Sequence, residues 1–199
     1  MNRIVLASNN PGKQREIGQI LSGLGSEIVS QAAFNIDDVE ENGLSFVENA
    51  LIKARHASRF AGLPAIADDS GIEVDALDGE PGIYSARYAG PGATDQENNA
   101  KLLRALKNLS DDQRGARFQC VIVYLHHAHD PMPLICSGTW EGRILHEPRG
   151  VQGFGYDPLF YVPTHRCASA GLSPEVKNQI SHRAQALSAL QWALRTETQ

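Results

Sequence analysis

Cysteine is scarce. Cys120, Cys136 and Cys167 are the three in 199 residues, widely spaced and odd in number. They form no metal-ligand pattern and no disulfide framework, so a reducing cytosol is the simplest setting. Basic residues are also in deficit, 18 Lys and Arg against 23 Asp and Glu, for a formal net charge of -5. That balance argues against a protein whose main task is to grip a nucleic acid backbone, which needs a basic face. Apolar runs stay short of the ~18 residues a membrane helix requires, and residues 1–8 are too short for the core of a signal peptide. The expectation is a soluble, cytoplasmic chain with neither a nucleic acid nor a membrane as partner. Any anionic ligand must be met by a local cluster of donors.

A hydrophobic content of 42% and a charged content of 21% are ordinary for a globular chain. The length suits one domain over residues 1–199, with room for two lobes and a real core. Ile4-Val5-Leu6-Ala7 reads as a buried strand that breaks at Ser8-Asn9-Asn10-Pro11-Gly12-Lys13. Ile17, Ile20, Leu21 and Leu24 then recur at helical spacing, with Asn10 as N-cap, Pro11 at the first helical position and Gly25 as the stop. A strand-to-helix junction of this kind presents unpaired backbone N–H groups and the positive end of a helix dipole, where a phosphate can bind. Lys13, one turn in, reaches the same anion. The loop lacks the G-x-x-x-x-G-K-[ST] pattern, so P-loop ATPase chemistry is not supported.

The most suggestive stretch is Ala65-Ile66-Ala67-Asp68-Asp69-Ser70-Gly71. Its small residues and Gly71 predict an exposed strand end with a sharp turn. Adjacent side chains on extended backbone face opposite ways, so Asp68 and Asp69 should have different jobs, one at a reaction centre and one bracing the loop. Before it, a strand is expected over Glu27–Ser30, then the acidic run Asp37-Asp38-Val39-Glu40-Glu41. A capping box at Ser45-Phe46-Val47-Glu48 opens a helix that carries Lys53 and stops at Gly62.

After it, Ile72–Leu77 alternates like a half-exposed strand, and Thr94-Asp95-Gln96-Glu97 is a second capping box ahead of a helix with Leu102, Leu103, Leu106 and Leu109 on its buried face. Strands are expected over Arg117–Leu125, Leu134–Trp140 and from Gly142 to Leu145, with a final helix after Ser181. The turn His126-His127-Ala128-His129-Asp130 has no second ligand cluster and reads as exposed rather than metal-binding. Gly153-Phe154-Gly155-Tyr156-Asp157-Pro158 joins flexible glycines to two aromatics, which either stack on a flat ligand or pack into the core. The element order implies an α/β fold with a mixed sheet flanked by helices.

Taken together, these blocks resemble the family of inosine/xanthosine triphosphate pyrophosphatases, which hydrolyse non-standard purine nucleoside triphosphates to monophosphate and pyrophosphate. The likeness spans nearly the whole chain and is strongest to bacterial members. It is carried by Ser8–Lys13, by Phe46-x-x-Asn49-Ala50 with Lys53-Ala54, by Ala67–Gly71, by Pro81-Gly82-x-Tyr84-Ser85-Ala86-Arg87, by Gly153–Pro158 and by Ser181-His182-Arg183.

The resemblance implies two lobes with a central cleft, in which Ser8, Asn9, Asn10, Pro11, Gly12 and Lys13 hold the triphosphate. Asp69 would be the catalytic base and a magnesium ligand, with Glu41 as the second ligand and Glu40 the neighbouring candidate. Ser70 and Lys53 would contact substrate, while Phe154, Gly155, Tyr156, Asp157, Lys177, His182 and Arg183 would line the nucleoside side. A homodimer is implied as well. The chain departs from the pattern at Ala170-Gly171-Leu172, where bacterial relatives usually have Ala-Glu-Leu.

The chemistry agrees with the residue types. A triphosphate repels an attacking water, so cations and oriented donors must neutralise charge as it develops, and a hard cation such as Mg2+ takes carboxylate oxygens plus waters. Two competing expectations are a pyrophosphatase of the related septum-formation inhibitor family and a non-catalytic nucleotide sensor. The Ser-His-Arg and Phe-Gly-Tyr-Asp blocks oppose the first. The paired carboxylates oppose the second, since they would repel a triphosphate bound without metal.

Overall fold

The computed structural model describes residues 3–197. It contains a seven-stranded sheet in the order β2-β1-β3-β4-β5-β6-β7. The strands are β1 (Arg3–Ala7), β2 (Glu27–Ser30), β3 (Ala65–Val74), β4 (Gly115–Leu125), β5 (Leu134–Ile144), β6 (Phe160–Val162) and β7 (Cys167–Ala168). The helices are α1 (Pro11–Ile20), α2 (Phe46–Ala61), α3 (Asp95–Ala105), α4 (Pro174–Ile180) and α5 (His182–Glu197). The sheet is mixed, as expected: β1 runs parallel to both β2 and β3, while β6 is antiparallel to β5 and β7.

The chain forms two compact units, each assembled from separated stretches. Among the described residues the first takes 3–69, 120–138 and 182–197; the second takes 70–119 and 139–181. In the first unit the period-2 pattern of the strands is explicit. Ile4, Leu6, Ile66, Cys120, Ile122 and Tyr124 point to one face, where Ile17 and Leu21 from the α1 region and Leu187 and Leu190 of α5 cover them. Val5, Ala7, Ala65, Ala67, Val123 and Leu125 point to the other, against Ala50, Ala54 and Ala57 of α2. The small residues on that second face let α2 lie close to the strands.

The second unit has its own core of Ile72, Val74, Leu102, Leu106, Phe118, Trp140, Tyr156, Phe160 and their neighbours. Its largest buried polar group is structural. Arg114 is 1% exposed and donates to the carbonyls of Leu106, Ile144 and Leu145 at 2.7–2.8 Å, so its charge is enclosed by oxygen dipoles.

Several expectations change. No turn interrupts β3, which continues from Ala65 through Gly71 to Val74, so Asp68 and Asp69 lie inside a strand rather than at an exposed end. Both are buried, at 1% and 6% exposure. The strands expected over Leu134–Trp140 and from Gly142 are one strand, β5, which runs unbroken through Gly138 and Gly142 to Ile144. Helix α4 was not foreseen; seven residues give too short a period to read.

Candidate active site

The β1-to-α1 junction forms as its residue types dictate. Asn10 is extended and its side-chain oxygen accepts from the Lys13 backbone N–H at 3.0 Å, with Pro11 opening the helix. The loop is fastened from behind by Gln14, which donates to the Ser8 carbonyl at 2.7 Å and to the Ser30 hydroxyl at 3.0 Å. Asp38 fastens it from the side, accepting from Asn9 at 2.9 Å and Gln31 at 2.8 Å. Asn9, Asn10 and Pro11 stay exposed, Ser8 and Lys13 are half-buried, and Gly12 is buried.

Position along β3 decides what each aspartate meets. Asp68 is in step with Ile66, so it enters the face covered by α1 and α5. One of its oxygens is paired with the Lys13 ammonium. The other accepts from Arg183 Nε at 2.9 Å and from the Cys120 thiol at 3.1 Å. Arg183 in turn pairs with Glu16 of α1. Burial alone would raise the Asp68 pKa, but Arg183 and then Lys13 outweigh it and hold the carboxyl well below the usual carboxylate range. Burial, followed by the Asp68 charge, pushes the Cys120 thiol well up, so it is an inert donor here.

Asp69 is in step with Ala65 and Ala67 and enters the α2 face. Its Oδ1 meets Lys53 Nζ at 2.7 Å, and Glu41 meets the same ammonium at 3.1 Å. Glu40 is exposed, which leaves Glu41 as the acidic-run residue beside Lys53. The two carboxyls share this ammonium but shift in opposite directions. Burial pushes Asp69 up to about 6 in spite of Lys53 and Lys13. At Glu41 burial is overcome by Lys53, and the pKa falls below its ordinary value. Burial would lower Lys53, yet Asp69 and Glu41 keep it raised and charged. Asp69 is thus the more basic of the two carboxyls.

Among the described residues no three His, Cys, Asp or Glu side chains converge as a metal cluster. The pair Asp69 and Glu41 nonetheless fits a hard cation. Their oxygens already bracket one positive group, Lys53 Nζ, and a Mg2+ ion keeps several waters or phosphate oxygens beside one or two carboxylates.

In the second unit the glycine-rich loop is pinned rather than mobile. The Gly155 N–H donates to Asp95 at 2.6 Å, and Asn99 donates to the Gly155 carbonyl at 2.9 Å. Asp157 is buried and accepts from the Phe154 N–H at 2.9 Å, Ser169 at 2.7 Å and Lys177 Nζ at 2.5 Å. Tyr156 belongs to the hydrophobic core and its hydroxyl donates to the Ser85 carbonyl at 2.8 Å. Of the two aromatics, Phe154 is therefore the one left half-buried, with Lys177 Nζ 5.0 Å from its ring centre. Ser70, next along β3, is half-buried. Gly171, the departure from the family pattern, is an exposed end of a single 3-10 turn.

His182 and Arg183 open α5 and are 4% and 1% exposed. A side chain at Gly138 of β5 would run into the His182 carbonyl, so the glycine is what lets that strand pass the helix start. Sequence reasoning missed Gly138, Glu16, Cys120 and Asp38. Of these, only Cys120 carried a signal: it alternates in phase with Ile122 and so shares a face with Asp68.

The Ham1 family model matches residues 4–193. A dITP/XTP pyrophosphatase of Shigella flexneri is 58% identical over 195 residues, covering 98% of this chain and 99% of that protein. Another from Vibrio cholerae is 56% identical over 190 residues, covering 96% and 95%. Among solved structures, a HAM1 protein from Coxiella burnetii superposes with a TM-score of 0.91 at 52% identity, over 98% of this chain and 100% of that one.

Proposed function

Because the chain belongs to the Ham1 family, we propose that it is a hydrolase that cleaves non-standard purine nucleoside triphosphates, ITP, dITP and XTP, to the monophosphate and pyrophosphate. The observation that carries the mechanism is the buried Asp69, which faces, with Glu41, a single ammonium.

The ion pairs around Asp68 and Asp69 set three cations, Lys13, Lys53 and Arg183, against four carboxylates, Glu16, Glu41, Asp68 and Asp69. Such a set cannot by itself neutralise a triphosphate, which supports a requirement for Mg2+. Asp69 and Glu41 would hold the ion, which when bound would neutralise phosphate charge and acidify a water. Lys13 and the backbone N–H groups opening α1 would receive the phosphates. Asp69 would orient a water for in-line attack at the α-phosphorus and accept its proton as the bond to pyrophosphate breaks. Lys53 would then exchange carboxylate for phosphate oxygen.

For the base, the reading assigns stacking to Phe154 and donors to Lys177, His182 and Arg183. Hypoxanthine and xanthine present a 6-keto acceptor where adenine presents an amino donor, and a mismatch of that kind discriminates by up to ~10⁴-fold. The same reading makes the protein a cytoplasmic homodimer that cleans the nucleotide pool. Sedimentation as a monomer at micromolar concentration would refute the dimer.

The deciding assay is pyrophosphate release from ITP, XTP, ATP and GTP with and without magnesium. Turnover of ITP and XTP far above ATP, abolished by chelator, is the expected result. Equal turnover of all four, or magnesium-independent turnover, would overturn the assignment.

A further inference from the structure

Asp69 has a role in the reaction, but its neighbour is the more deeply buried of the two and has none. Asp68 is 1% exposed, and its two oxygens serve different elements. One holds Lys13 of α1, and the other holds Arg183 of α5 at 2.9 Å with the Cys120 thiol at 3.1 Å. A carboxylate this far inside is costly unless paired, and three donors from three segments of chain pair it. Charge balance alone would need only one cation. The second cation brings a geometric effect, since two long side chains, each with several rotatable bonds, are fixed to one strand residue that cannot itself move.

We propose that Asp68 is a positioning residue that fixes the phosphate-side Lys13 and the base-side Arg183 relative to each other, so that contacts at one end of the nucleotide govern selectivity at the other. The proposal rests on the reading of Arg183 as a base-selecting residue. It gives Asp68 no contact with substrate; it acts through the two cations. Glu16 supports the same arrangement by pairing with Arg183 from α1, the helix that also carries Lys13.

ITP and ATP carry the same triphosphate, so any electrostatic change at the phosphates cancels in the ratio of their kcat/KM values. The ratio isolates the position of the base-reading groups. Asp68→Asn should narrow the ITP-to-ATP ratio by ~10-fold or more, the scale of one charge-assisted hydrogen bond. Lys13→Met should narrow it too, although Lys13 is a phosphate-side residue, because Asp68 loses its second partner and Arg183 its fixed anchor. Lys53→Met is the comparison. It meets Asp69 and Glu41 on the opposite face, and should depress both substrates by the same factor.

If Asp68→Asn does not fold, the contrast between Lys13→Met and Lys53→Met still decides. Arg183→Ala separates the two ways of failing. Where it lowers ITP and ATP equally, the account of base choice fails and this proposal falls with it. Where it narrows the ratio but Asp68→Asn and Lys13→Met leave the ratio at the wild-type value, the coupling through Asp68 alone is refuted.

Discussion

Asp68 and Asp69 are consecutive on β3, yet the first binds Lys13 and Arg183 on the face covered by α1 and α5, while the second binds Lys53 on the face covered by α2. One peptide step separates a carboxyl held well below its ordinary pKa from one raised to about 6. The alternation of a strand is enough to give two identical side chains opposite chemistry.

Asp69→Asn should fold and lose ~100-fold or more in turnover with ITP, since the amide keeps the shape while removing the base. Asp68→Asn provides the contrast in stability. Removing one partner from a buried ionic cluster costs about 3–5 kcal/mol, so chemical denaturation should show a large loss for Asp68→Asn and none of that size for Asp69→Asn.

The raised pKa of Asp69 has a definite sign in stability. Between an unfolded value of 3.8 and a folded value of about 6 the native state holds the proton more firmly, so its advantage is present at low pH and lost as pH rises. With chelator present, the stability of Asp69→Asn relative to wild type should therefore climb from pH 4 to pH 6 and level off above. A flat difference across that window would show that burial does not govern this carboxyl.

Phe154→Ala should raise KM for ITP by ~10-fold through lost stacking on the base. Tyr156→Phe, which removes only the hydrogen bond to the Ser85 carbonyl, should cost about 1 kcal/mol of stability and leave KM near its wild-type value. A KM effect at Tyr156 equal to that at Phe154 would contradict the core position of the tyrosine.

Gly138→Ala should destabilise the protein by about 1–3 kcal/mol or more, since the added methyl collides with the His182 backbone carbonyl and not with a yielding side chain. Thermal denaturation beside Gly25→Ala tests this. Gly25 has open space around its Cβ position but a φ of 74°, so its cost is backbone strain alone.

Local chemistry was legible in the sequence wherever it was written in consecutive residues. The Asn10 cap, the Thr94 and Glu97 capping box and the α2 helix ending at Gly62 all formed where expected. The division of labour between Asp68 and Asp69 was also legible, because period 2 is a property of any strand. Their burial was not, because Ser70 and Gly71 look like a turn, whereas β3 runs on through both of them to Val74. Tyr156 could not be told from Phe154 without knowing that the Ser85 carbonyl lies 2.8 Å from its hydroxyl. Glu16 and Arg183 are 167 positions apart, and nothing in either neighbourhood announces the pair.

The interrupted make-up of the first unit has a consequence for how the chain is made. Strand β1 leaves the ribosome well before Leu187 and Leu190 of α5, which help to cover it. The part of the β1 and β3 face that α5 covers must wait while about a hundred intervening residues are synthesised, as expected for folds rich in non-local contacts. Arg183 arrives with that same helix, so Asp68 gains its arginine only when α5 docks. A nascent chain stalled before α5 would have β3 in place without the arginine that Asp68 requires.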